Sequence, residues 1–195
     1  TGLVGWLRKK VLMPGLYNRA DKIVTVSRDI NPELIEGFGV KPEKLVTINN
    51  FFEVAQIEAK SQEPLTAEEQ AVYDAAPVLV TSGRLTIQKN QAPLLDAFAA
   101  LVRRRPAKLV FVGDGELRED LTRHARQLGL RVYEAWSQVT LTSEYDVYFL
   151  GLQQNPFKYI RPASAFVFPS AWEGFPMALG EAMICGVPVV TTDCP

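Results

Sequence analysis

Residues 78–112 read VLVTSGRLTIQKNQAPLLDAFAALVRRRPAKLVFV, and this stretch decides the fold. It opens and closes with short apolar runs, Val78–Thr81 and Leu109–Val112, which are typical of buried parallel strands. The residues between them predict a helix at Gln91–Arg103. A strand, a helix and a second strand in this order predict a parallel sheet with right-handed crossovers.

The same alternation of strand and helix continues to the end of the chain. The further predicted elements are helix Glu116–Leu128, strand Tyr148–Leu150, helix Pro156–Arg161, strand Phe166–Phe168, helix Pro176–Ile184 and strand Val187–Thr191. The sequence therefore predicts a doubly wound α/β fold, in which ligands bind beyond the carboxyl ends of the strands. Binding residues are expected in the loops that follow Thr81, Val112, Leu150 and Phe168.

Two segments depart from this alternation. Residues 131–146 contain Trp136 and alternating apolar residues, which predict an extra hairpin or loop. Residues 51–76 are rich in Glu, Gln, Ala and Pro and predict a connector, with a helix at Ala67–Asp74.

The first fifty residues predict fewer elements than a closed core requires. Strands are expected at Ile23–Ser27 and Lys44–Asn49, with a short helix at Asn31–Phe38 between them. These pieces look like the tail of a preceding domain. The predicted limits are 1–50 for that tail, 51–76 for a linker and 77–195 for the second domain.

Composition excludes several classes of function. The chain has 21 Lys and Arg against 22 Asp and Glu, and a net charge of -1 gives no long-range attraction for nucleic acid. Any anionic ligand must be held locally. Its two cysteines, Cys185 and Cys194, are too few for a disulfide scaffold and fit a reducing cytosol, although one bond between them stays open. The sequence has no ligand cluster for zinc.

Residues 2–16 are the part of the sequence in which a membrane-associated segment could lie. Their apolar patches are interrupted by three cations at 8–10, so no stretch reaches the length of a membrane span, and no signal peptide is indicated. The favoured interpretation is a helix packed on its own domain. A basic segment of this kind could instead lie on a membrane surface through Trp6, Leu7, Val11 and Leu12.

The most informative motif is SAWEGFPMALGEAM at residues 170–183, directly after a predicted strand. Pro176 suits the first turn of a helix, which places Gly174 and Phe175 at the helix entrance. Unpaired N–H groups and the positive end of the helix dipole make that entrance an anion site. Glu173 lies ahead of it and Glu181 about one and a half turns into the helix, so both can border one elongated ligand.

Carboxylates accept hydrogen bonds from hydroxyls and repel phosphates, so Glu173 and Glu181 suit the diols of a hexose and a ribose. The phosphates would then lie at the N–H groups between them. The alternative is that Glu173 complements the helix dipole and that Glu181 is an ordinary solvated residue.

The whole run resembles the retaining glycosyltransferases of family four, which have the GT-B architecture of two facing Rossmann-like domains. The resemblance rests on Glu173-x7-Glu181, Gly174-Phe175-Pro176, Glu181-Ala182-Met183, Gly186-x-Pro188-Val189-Val190 and Asp193-Cys194-Pro195. It covers most of the chain except the connector and residues 131–146. One departure is Met177, at a position that is often Asn in close relatives.

Further segments extend the resemblance into the first strand of the donor domain. Gly83-Arg84-Leu85 followed by Lys89-Asn90 matches the family's segment at the end of that strand. Arg84 and Lys89 would supply the cations that a diphosphate leaving group needs, since no metal site is visible. Two ordinary surface cations are the alternative.

Two other loops resemble parts of the family's donor site. Gly113 ends a strand in the family's Val-Gly-x-Gly pattern and would permit close backbone approach, although any tight strand-to-helix turn uses such residues. Phe149-Leu150-Gly151 resembles the segment beside the nucleotide base. The backbone of Leu152 and Gln153 could read a base edge, and a polar turn is the equal alternative.

Upstream, residues 20–27 and 44–50 are similar to the end of the family's acceptor domain. The family's glycine-rich N-terminal loop and acceptor-side histidine have no counterpart in this sequence. His124, the single histidine, is expected on a solvated helix surface rather than as a general base.

The resemblance implies transfer of a hexosyl group, with retention, from a nucleoside-diphosphate sugar to an acceptor hydroxyl. The chain's last residues resemble members that build capsule or lipopolysaccharide from UDP-sugars, so UDP is the preferred nucleotide. No cofactor or metal is expected. The expected acceptor is a sugar or lipid-linked glycan, and the expected location is cytoplasmic, including the inner face of the membrane through peripheral association of the full-length protein.

The chain is also expected to bind donor better than it turns it over, because part of the acceptor domain and of the family pattern is missing. Two alternatives stay open: a nucleotide-sugar-binding module without turnover, and a nucleotide-sugar epimerase of similar fold. The spacing of Glu173 and Glu181 favours transfer over epimerisation.

Overall fold

The computed structural model describes Gly2, Gly5 and residues 12–194. The chain divides into two compact units, residues 1–51 and 52–195. Trp6, Leu7 and Val11, which carry the membrane-surface alternative, lie outside the described residues, whereas Leu12 is exposed. Among the residues that are described, no helix is long and apolar enough to cross a membrane.

The first unit is built around a two-stranded parallel sheet. Its elements are helix α1 (Met13–Tyr17), strand β1 (Ile23–Thr25), helix α2 (Ile30–Pro32), a π-helical turn (Glu33–Gly37), a 3-10 turn (Pro42–Lys44) and strand β2 (Leu45–Thr47). Asn31 joins the two strands, because its side chain contacts Thr25 Oγ1 at 2.8 Å and donates to Thr47 Oγ1 at 3.2 Å. Both strands are shorter than predicted.

The second unit is a six-stranded parallel sheet in the order β5-β6-β4-β3-β7-β8. Its strands are β3 (Val78–Ser82), β4 (Lys108–Val112), β5 (Val132–Glu134), β6 (Val147–Phe149), β7 (Ala165–Phe168) and β8 (Val189–Thr191). Its helices are α3 (Val54–Ser61), α4 (Ala67–Ala75), α5 (Gln91–Val102), α6 (Arg118–Gln127), α7 (Phe157–Ile160) and α8 (Met177–Ile184), and a 3-10 turn covers Ile87–Lys89.

Alternate residues of each strand enter two different cores, since successive side chains point to opposite faces of a sheet. Leu109 and Phe111 pack with α5 and α6, while Val110 and Val112 pack with helices on the other face. Helices α3 and α4, which occupy most of the predicted connector, contribute Ile57 and Val72 to the second of these cores. The sheet is covered on both faces, as the predicted doubly wound α/β fold requires.

The hairpin considered for residues 131–146 is not formed. Instead, β5 pairs in parallel with β6, and a loop connects them. The reason is a clamp at the start of both strands: Asp146 accepts from the Arg131 backbone N–H at 2.9 Å and from its guanidinium at 2.8 Å. Lys108 Nζ also donates to the carbonyls of Ser143 and Tyr145 at 2.6 and 2.5 Å. The loop must therefore run from the end of β5 back to the end of the sheet at which β5 starts.

The two cysteines are both free thiols, so the bond left open between them is absent. Cys185 is buried in the turn that follows α8, and burial raises the pKa of its thiol to about 11.

The loops after β3 and β4 approach each other at two glycines. Gly83 and Gly113 have φ angles of 147° and 139°, which other residues rarely adopt. A Cβ on Gly113 would lie 2.1 Å from the carbonyl oxygen of Gly83. Only a residue without a side chain fits at Gly113.

Gly113→Ala should therefore lower the free energy of unfolding by at least about 3 kcal/mol, because it adds backbone strain and a clash with another backbone. The matched control is Gly129→Ala, where φ is also positive (80°) but no atom lies within 4 Å of the added Cβ. The control should lose about 1–2 kcal/mol from strain alone. Urea unfolding of both variants measures the difference, and equal losses would contradict the predicted clash.

Candidate functional site

A cleft of about 260 Å³ opens at the carboxyl ends of β3, β4 and β6. It is lined by Ser82, Gly83, Arg84, Val112, Gly113, Asp114, Leu152, Gln153 and Pro156. The structure thus brings together five residues that the sequence placed in three separate loops: Gly83, Arg84, Gly113, Leu152 and Gln153. This is the position where parallel α/β sheets bind ligands.

Two residues that line the cleft, Gly83 and Gly113, present backbone and no side chain. Gly83 N–H donates to the Val112 carbonyl at 3.0 Å, and Gly113 N–H donates to the Gly151 carbonyl at 2.8 Å. These N–H groups are already bonded, so the two glycines can serve a ligand by allowing close approach and not by donating to it.

Arg84 supplies a cation at the mouth of the cleft. Its side chain is exposed, and within the part of the chain that the structure describes it makes no hydrogen bond or ion pair. Its backbone is fixed by Gln91, whose buried side chain donates to the Arg84 carbonyl at 2.9 Å. Sequence reasoning missed Gln91, although its place directly after Lys89-Asn90 was a usable signal.

The carboxylate that lines the cleft does not oppose an anion there. Asp114 accepts from its neighbour Gly115 N–H at 2.8 Å and from the Arg118 guanidinium at 3.1 Å. The Arg118 guanidinium in turn lies 4.7 Å from the centre of the Trp136 ring. Asp114 is therefore neutralised locally, which leaves the positive charge of Arg84 uncancelled.

Lys89 and Glu173 form a separate pair beside the cleft. Lys89 Nζ lies 2.6 Å from Glu173 Oε1, with the side chains 20% and 11% exposed. The ammonium group also lies 4.8 Å from the centre of the Phe168 ring. A Cβ added to Gly83 would contact the Lys89 side chain at 3.5 Å, so the pair adjoins the cleft without lining it.

Two loops are tied together to hold this pair. Ala171 N–H donates to the Gln88 carbonyl at 2.8 Å, and Gln88 Nε2 donates to the Trp172 carbonyl at 2.9 Å. The Lys89 and Glu173 side chains therefore extend from two connected strand-end loops, 84 residues apart in sequence.

The entrance of α8 differs from the prediction. Pro176 precedes the helix instead of lying in its first turn, and its carbonyl accepts from Leu179 N–H at 3.0 Å. Met177 N–H donates to the Phe175 carbonyl at 2.9 Å, because the chain turns sharply before the helix begins. In the described part of the chain, the N–H groups of Gly174, Phe175 and Ala178 have no backbone partner. Met177 is therefore not a free donor for an anion, whereas Gly174 and Phe175 are.

Phe175 also packs within the unit. Its ring lies 6.1 Å from that of Phe52, and a Cβ added to Gly180 would lie 2.2 Å from the same Phe52 ring. Phe52 therefore supports the entrance of α8 from the predicted connector. Phe52 was not predictable from the sequence, because a connector gives no periodic signal.

Glu181 lies in the second turn of α8 and is partly buried. Burial raises the pKa of its carboxyl above the ordinary value, and among the described residues it has no hydrogen-bond or ion-pair partner. Its acceptor capacity is therefore unused, which suits a ligand hydroxyl.

Other predicted features lie away from the cleft. His124 Nε2 contacts Asp96 Oδ1 at 2.8 Å, in a pair that joins α5 to α6, and it does not line the cleft. Within the residues described, no group of three or more His, Cys, Asp or Glu side chains is arranged to hold a metal ion.

Comparison with known proteins identifies a family that the chain matches. Residues 76–195 match the family described as Glycosyl transferases group 1. An uncharacterized glycosyltransferase of Methanocaldococcus jannaschii is 34% identical over 180 residues, which cover 91% of this chain and 41% of that protein. A Campylobacter jejuni protein, N-acetylgalactosamine-N,N'-diacetylbacillosaminyl-diphospho-undecaprenol 4-alpha-N-acetylgalactosaminyltransferase, is 30% identical over 187 residues, with coverages of 96% and 45%.

Solved structures agree in fold. Anabaena HepE, crystallised in complex with UDP and glucose, matches with a TM-score of 0.74 at 23% identity, over 94% of this chain and 47% of HepE. This match confirms the predicted α/β fold of the GT-B class. The chain spans less than half the length of each of these three relatives.

The coupling between Lys89 and Glu173 can be measured with a double-mutant cycle of Lys89→Ala and Glu173→Ala. We expect a coupling energy of about 1–2 kcal/mol in urea unfolding, since both side chains are largely buried. The control cycle is the exposed pair Asp120 and Arg123, 2.7 Å apart with side chains 65% and 62% exposed. Its coupling should be only about 0.3 kcal/mol. Additive losses at Lys89 and Glu173 would show that the pair contributes nothing.

Glu181→Gln should stabilise the unliganded chain at pH 7. A carboxyl with a raised pKa favours the folded state while protonated, and this contribution is lost as pH rises through its ordinary value toward the raised one. The amide of the variant avoids that loss. The gain in the free energy of unfolding should be less than about 1 kcal/mol at pH 7, because solvent reaches part of the side chain. It should disappear below about pH 4.

Thermal melts of Glu181→Gln across pH measure this gain. Glu58→Gln, at an exposed position of α3, is the control and should show no gain. A Glu181→Gln variant that melts below the parent at pH 7 would contradict the unpartnered state of this carboxylate.

Proposed function

Because the chain belongs to the glycosyl transferases group 1 family, we propose that it supplies the donor-binding half of an enzyme that transfers a hexosyl group from a nucleoside-diphosphate sugar to an acceptor hydroxyl. One observation carries the proposal: the cleft at the strand ends combines two glycines with Arg84, which is unpaired among the described residues, and the Lys89–Glu173 pair adjoins it. An anion and a polyol can be held side by side in this arrangement.

The two cations would bind the diphosphate. Arg84 has no competing partner among the described residues, so it can meet a phosphate without first breaking a contact. Lys89 would exchange its contact with Glu173 for one with the phosphate. Charge-assisted contacts from both would neutralise the negative charge that develops on the leaving diphosphate, and no metal ion is required for that purpose.

The carboxylates would bind the two sugars of the donor. Glu173, released from Lys89, would accept hydrogen bonds from hexose hydroxyls. Glu181, which has no partner among the residues that the structure describes, would accept them from the ribose. The free N–H groups of Gly174 and Phe175 lie between these positions in the chain and would donate to a sugar or phosphate oxygen.

Transfer would proceed with retention, as in the retaining family-four enzymes that the motifs resemble. The bond from the anomeric carbon to the diphosphate oxygen breaks, and the acceptor oxygen bonds to the same face of that carbon. The acceptor's proton passes to the departing diphosphate, so no protein nucleophile is needed.

The nucleotide is proposed to be UDP, and the product a surface glycan. HepE, which shares the fold, was crystallised with UDP and glucose. The Campylobacter jejuni relative is named for transferring N-acetylgalactosamine to a diphospho-undecaprenol-linked sugar. A sugar or lipid-linked glycan acceptor, handled at the inner face of a membrane, is therefore the class proposed for the full-length protein.

Glu173→Gln separates the hexose end of this site from the nucleotide end. The variant weakens the contact that holds Lys89, because a neutral amide replaces the carboxylate, so affinity for UDP should be unchanged or slightly higher. Affinity for UDP-glucose or UDP-N-acetylgalactosamine should fall by about 1.5–3 kcal/mol through the lost charge-assisted bonds. Calorimetric titration with UDP and with both UDP-sugars measures the two effects.

The matched variant in this titration is Glu181→Gln, which should weaken UDP and the UDP-sugars alike because all of them carry the ribose. Identical losses for every ligand in both variants would overturn the assignment of the two glutamates. A parent chain that binds none of these ligands would overturn the proposed function.

A further inference from the structure

A second pocket, of about 310 Å³, lies between helix α6 and the end of strand β5, and the proposed function does not use it. We call it the Trp136 pocket, and its lining is Glu119, Thr122, Arg123, Arg126, Glu134 and Trp136. The four lining residues of α6 recur with the spacing of one helix face. The lining shares no residue with the cleft at the strand ends, so the Trp136 pocket is a separate site.

The position of Trp136 is fixed although its side chain reaches solvent. Ala135 N–H, directly before it, donates to the Phe149 carbonyl at 3.0 Å. The Trp136 ring lies 6.4 Å from the Phe149 ring, and the Arg118 guanidinium lies 4.7 Å from its centre. Trp136 is nevertheless 40% exposed. A ligand that contacts this ring does not have to order it first, which lowers the entropic cost of binding.

Part of the Trp136 ring surface faces the pocket. Arg118 lies over the ring but does not line the pocket, whereas Trp136 does, so ring surface is left on the pocket side. Among the described residues that line the pocket, Trp136 is aromatic and the other five are polar or charged. An aromatic surface beside hydrogen-bonding groups suits a ligand that has an apolar face and a polar edge.

The charged side chains of the pocket are held in place by ion pairs. Arg126 lies 2.5 Å from Glu134, which joins α6 to the end of β5, and Arg123 lies 2.7 Å from Asp120. Each guanidinium uses one nitrogen in its pair, so further N–H groups can donate to a ligand. The Glu119 carboxylate lines the pocket without a hydrogen-bond or ion-pair partner among the described residues, so it can accept.

These features favour a neutral sugar over an anion. The lining contains two guanidiniums and two carboxylates, whose charges cancel, so a phosphate or carboxylate gains little attraction from it. A pyranose ring carries C–H groups on its faces and hydroxyl groups around its edge, and each hydroxyl can both donate and accept. The pocket offers an aromatic surface for the first and both donors and acceptors for the second.

We propose that the Trp136 pocket binds a neutral oligosaccharide, with the Trp136 ring against the apolar face of one pyranose and the charged side chains of α6 bonded to its hydroxyls. This site goes beyond the proposed function, because it holds a glycan outside the cleft in which transfer is proposed. It requires no nucleotide. Arg118, which contacts both Asp114 of the cleft and Trp136, separates the two sites on one unit.

The test titrates the isotope-labelled 195-residue chain with tetrasaccharides and follows the indole N–H signal of Trp136 by NMR. The neutral probes are maltotetraose, cellotetraose and chitotetraose, and the anionic comparison is tetragalacturonate. We expect at least one neutral probe to shift the Trp136 signal with a dissociation constant of about 1 mM, because an open pocket desolvates its hydrogen bonds only in part. Tetragalacturonate should bind more weakly, since the pocket has no surplus positive charge.

Two variants test the contacts, with the backbone N–H signal of Thr122 as the reporter. Trp136→Ala should weaken the best neutral probe about ten-fold through loss of the ring surface. Glu119→Ala should weaken it about five-fold through loss of an acceptor. The matched control is Glu116→Ala, an exposed carboxylate just before α6 that does not line the pocket, and it should bind as the parent does. If Trp136→Ala does not fold, the exposed Glu119 and its control decide.

Three results would overturn the inference. One is that no neutral probe shifts the Trp136 signal at concentrations well above the expected dissociation constant. Another is that tetragalacturonate binds better than every neutral probe, because the arginines would then form an anion site. The third is that Trp136→Ala and Glu119→Ala bind the neutral probe as the parent does. These results do not depend on UDP binding in the cleft, so the inference and the proposed function can fail separately.

Discussion

The close approach of two peptide groups, at Gly83 and Gly113, is the constraint on which the ligand-binding end of this structure depends. A side chain at Gly113 would clash with the Gly83 carbonyl, so the loops after β3 and β4 can meet only as bare backbone. Their contact holds the two loops together where both line the cleft. Arg84 reaches the mouth of the cleft because the backbone turns there, and Gln91 then fixes that turn.

The carboxylates around the cleft are paired with cations, and one positive charge is left over. Asp114 is matched by Arg118, and Glu173 is matched by Lys89, whereas Arg84 has no partner among the described residues. The net stability that such pairs contribute is smaller than their attraction alone suggests, because desolvation offsets part of it. Their main effect is on the electrostatic potential. The potential at the cleft is positive because of Arg84, although the whole chain carries a net charge of -1.

The sequence predicted most elements of the second unit, although not α3 or β5, because these strands and helices follow local rules. Runs of three or four residues, most of them apolar, marked β3, β4 and β7, and the structure moves their ends by one residue at most. Predictions failed where one distant contact decides the path. The clamp between Arg131 and Asp146 makes β5 parallel to β6, and neither residue differs locally from an ordinary surface ion. The start of α8, in contrast, was displaced by one residue through a local feature, the sharp turn at Phe175–Met177.

The candidate site was predictable to the extent that its residues follow strands. Arg84, Gly113 and Gln153 come after three different strands, and the topology alone brings them to one edge. Their roles in binding remain predictions. The contact of Tyr159 with Glu69 spans 90 residues and involves a segment predicted as a connector, so no local pattern could have indicated it.

The Lys89–Glu173 pair has a consequence for product release under the proposed function. An intact donor brings both a diphosphate for Lys89 and hydroxyls for Glu173, so it replaces both halves of the pair that it breaks. The spent nucleotide offers only the diphosphate, and holding Lys89 would leave a largely buried carboxylate without a partner. Reformation of the pair then competes with the nucleotide for Lys89. The pair would thus act as a built-in competitor that favours exchange of used nucleotide for fresh donor and limits product inhibition.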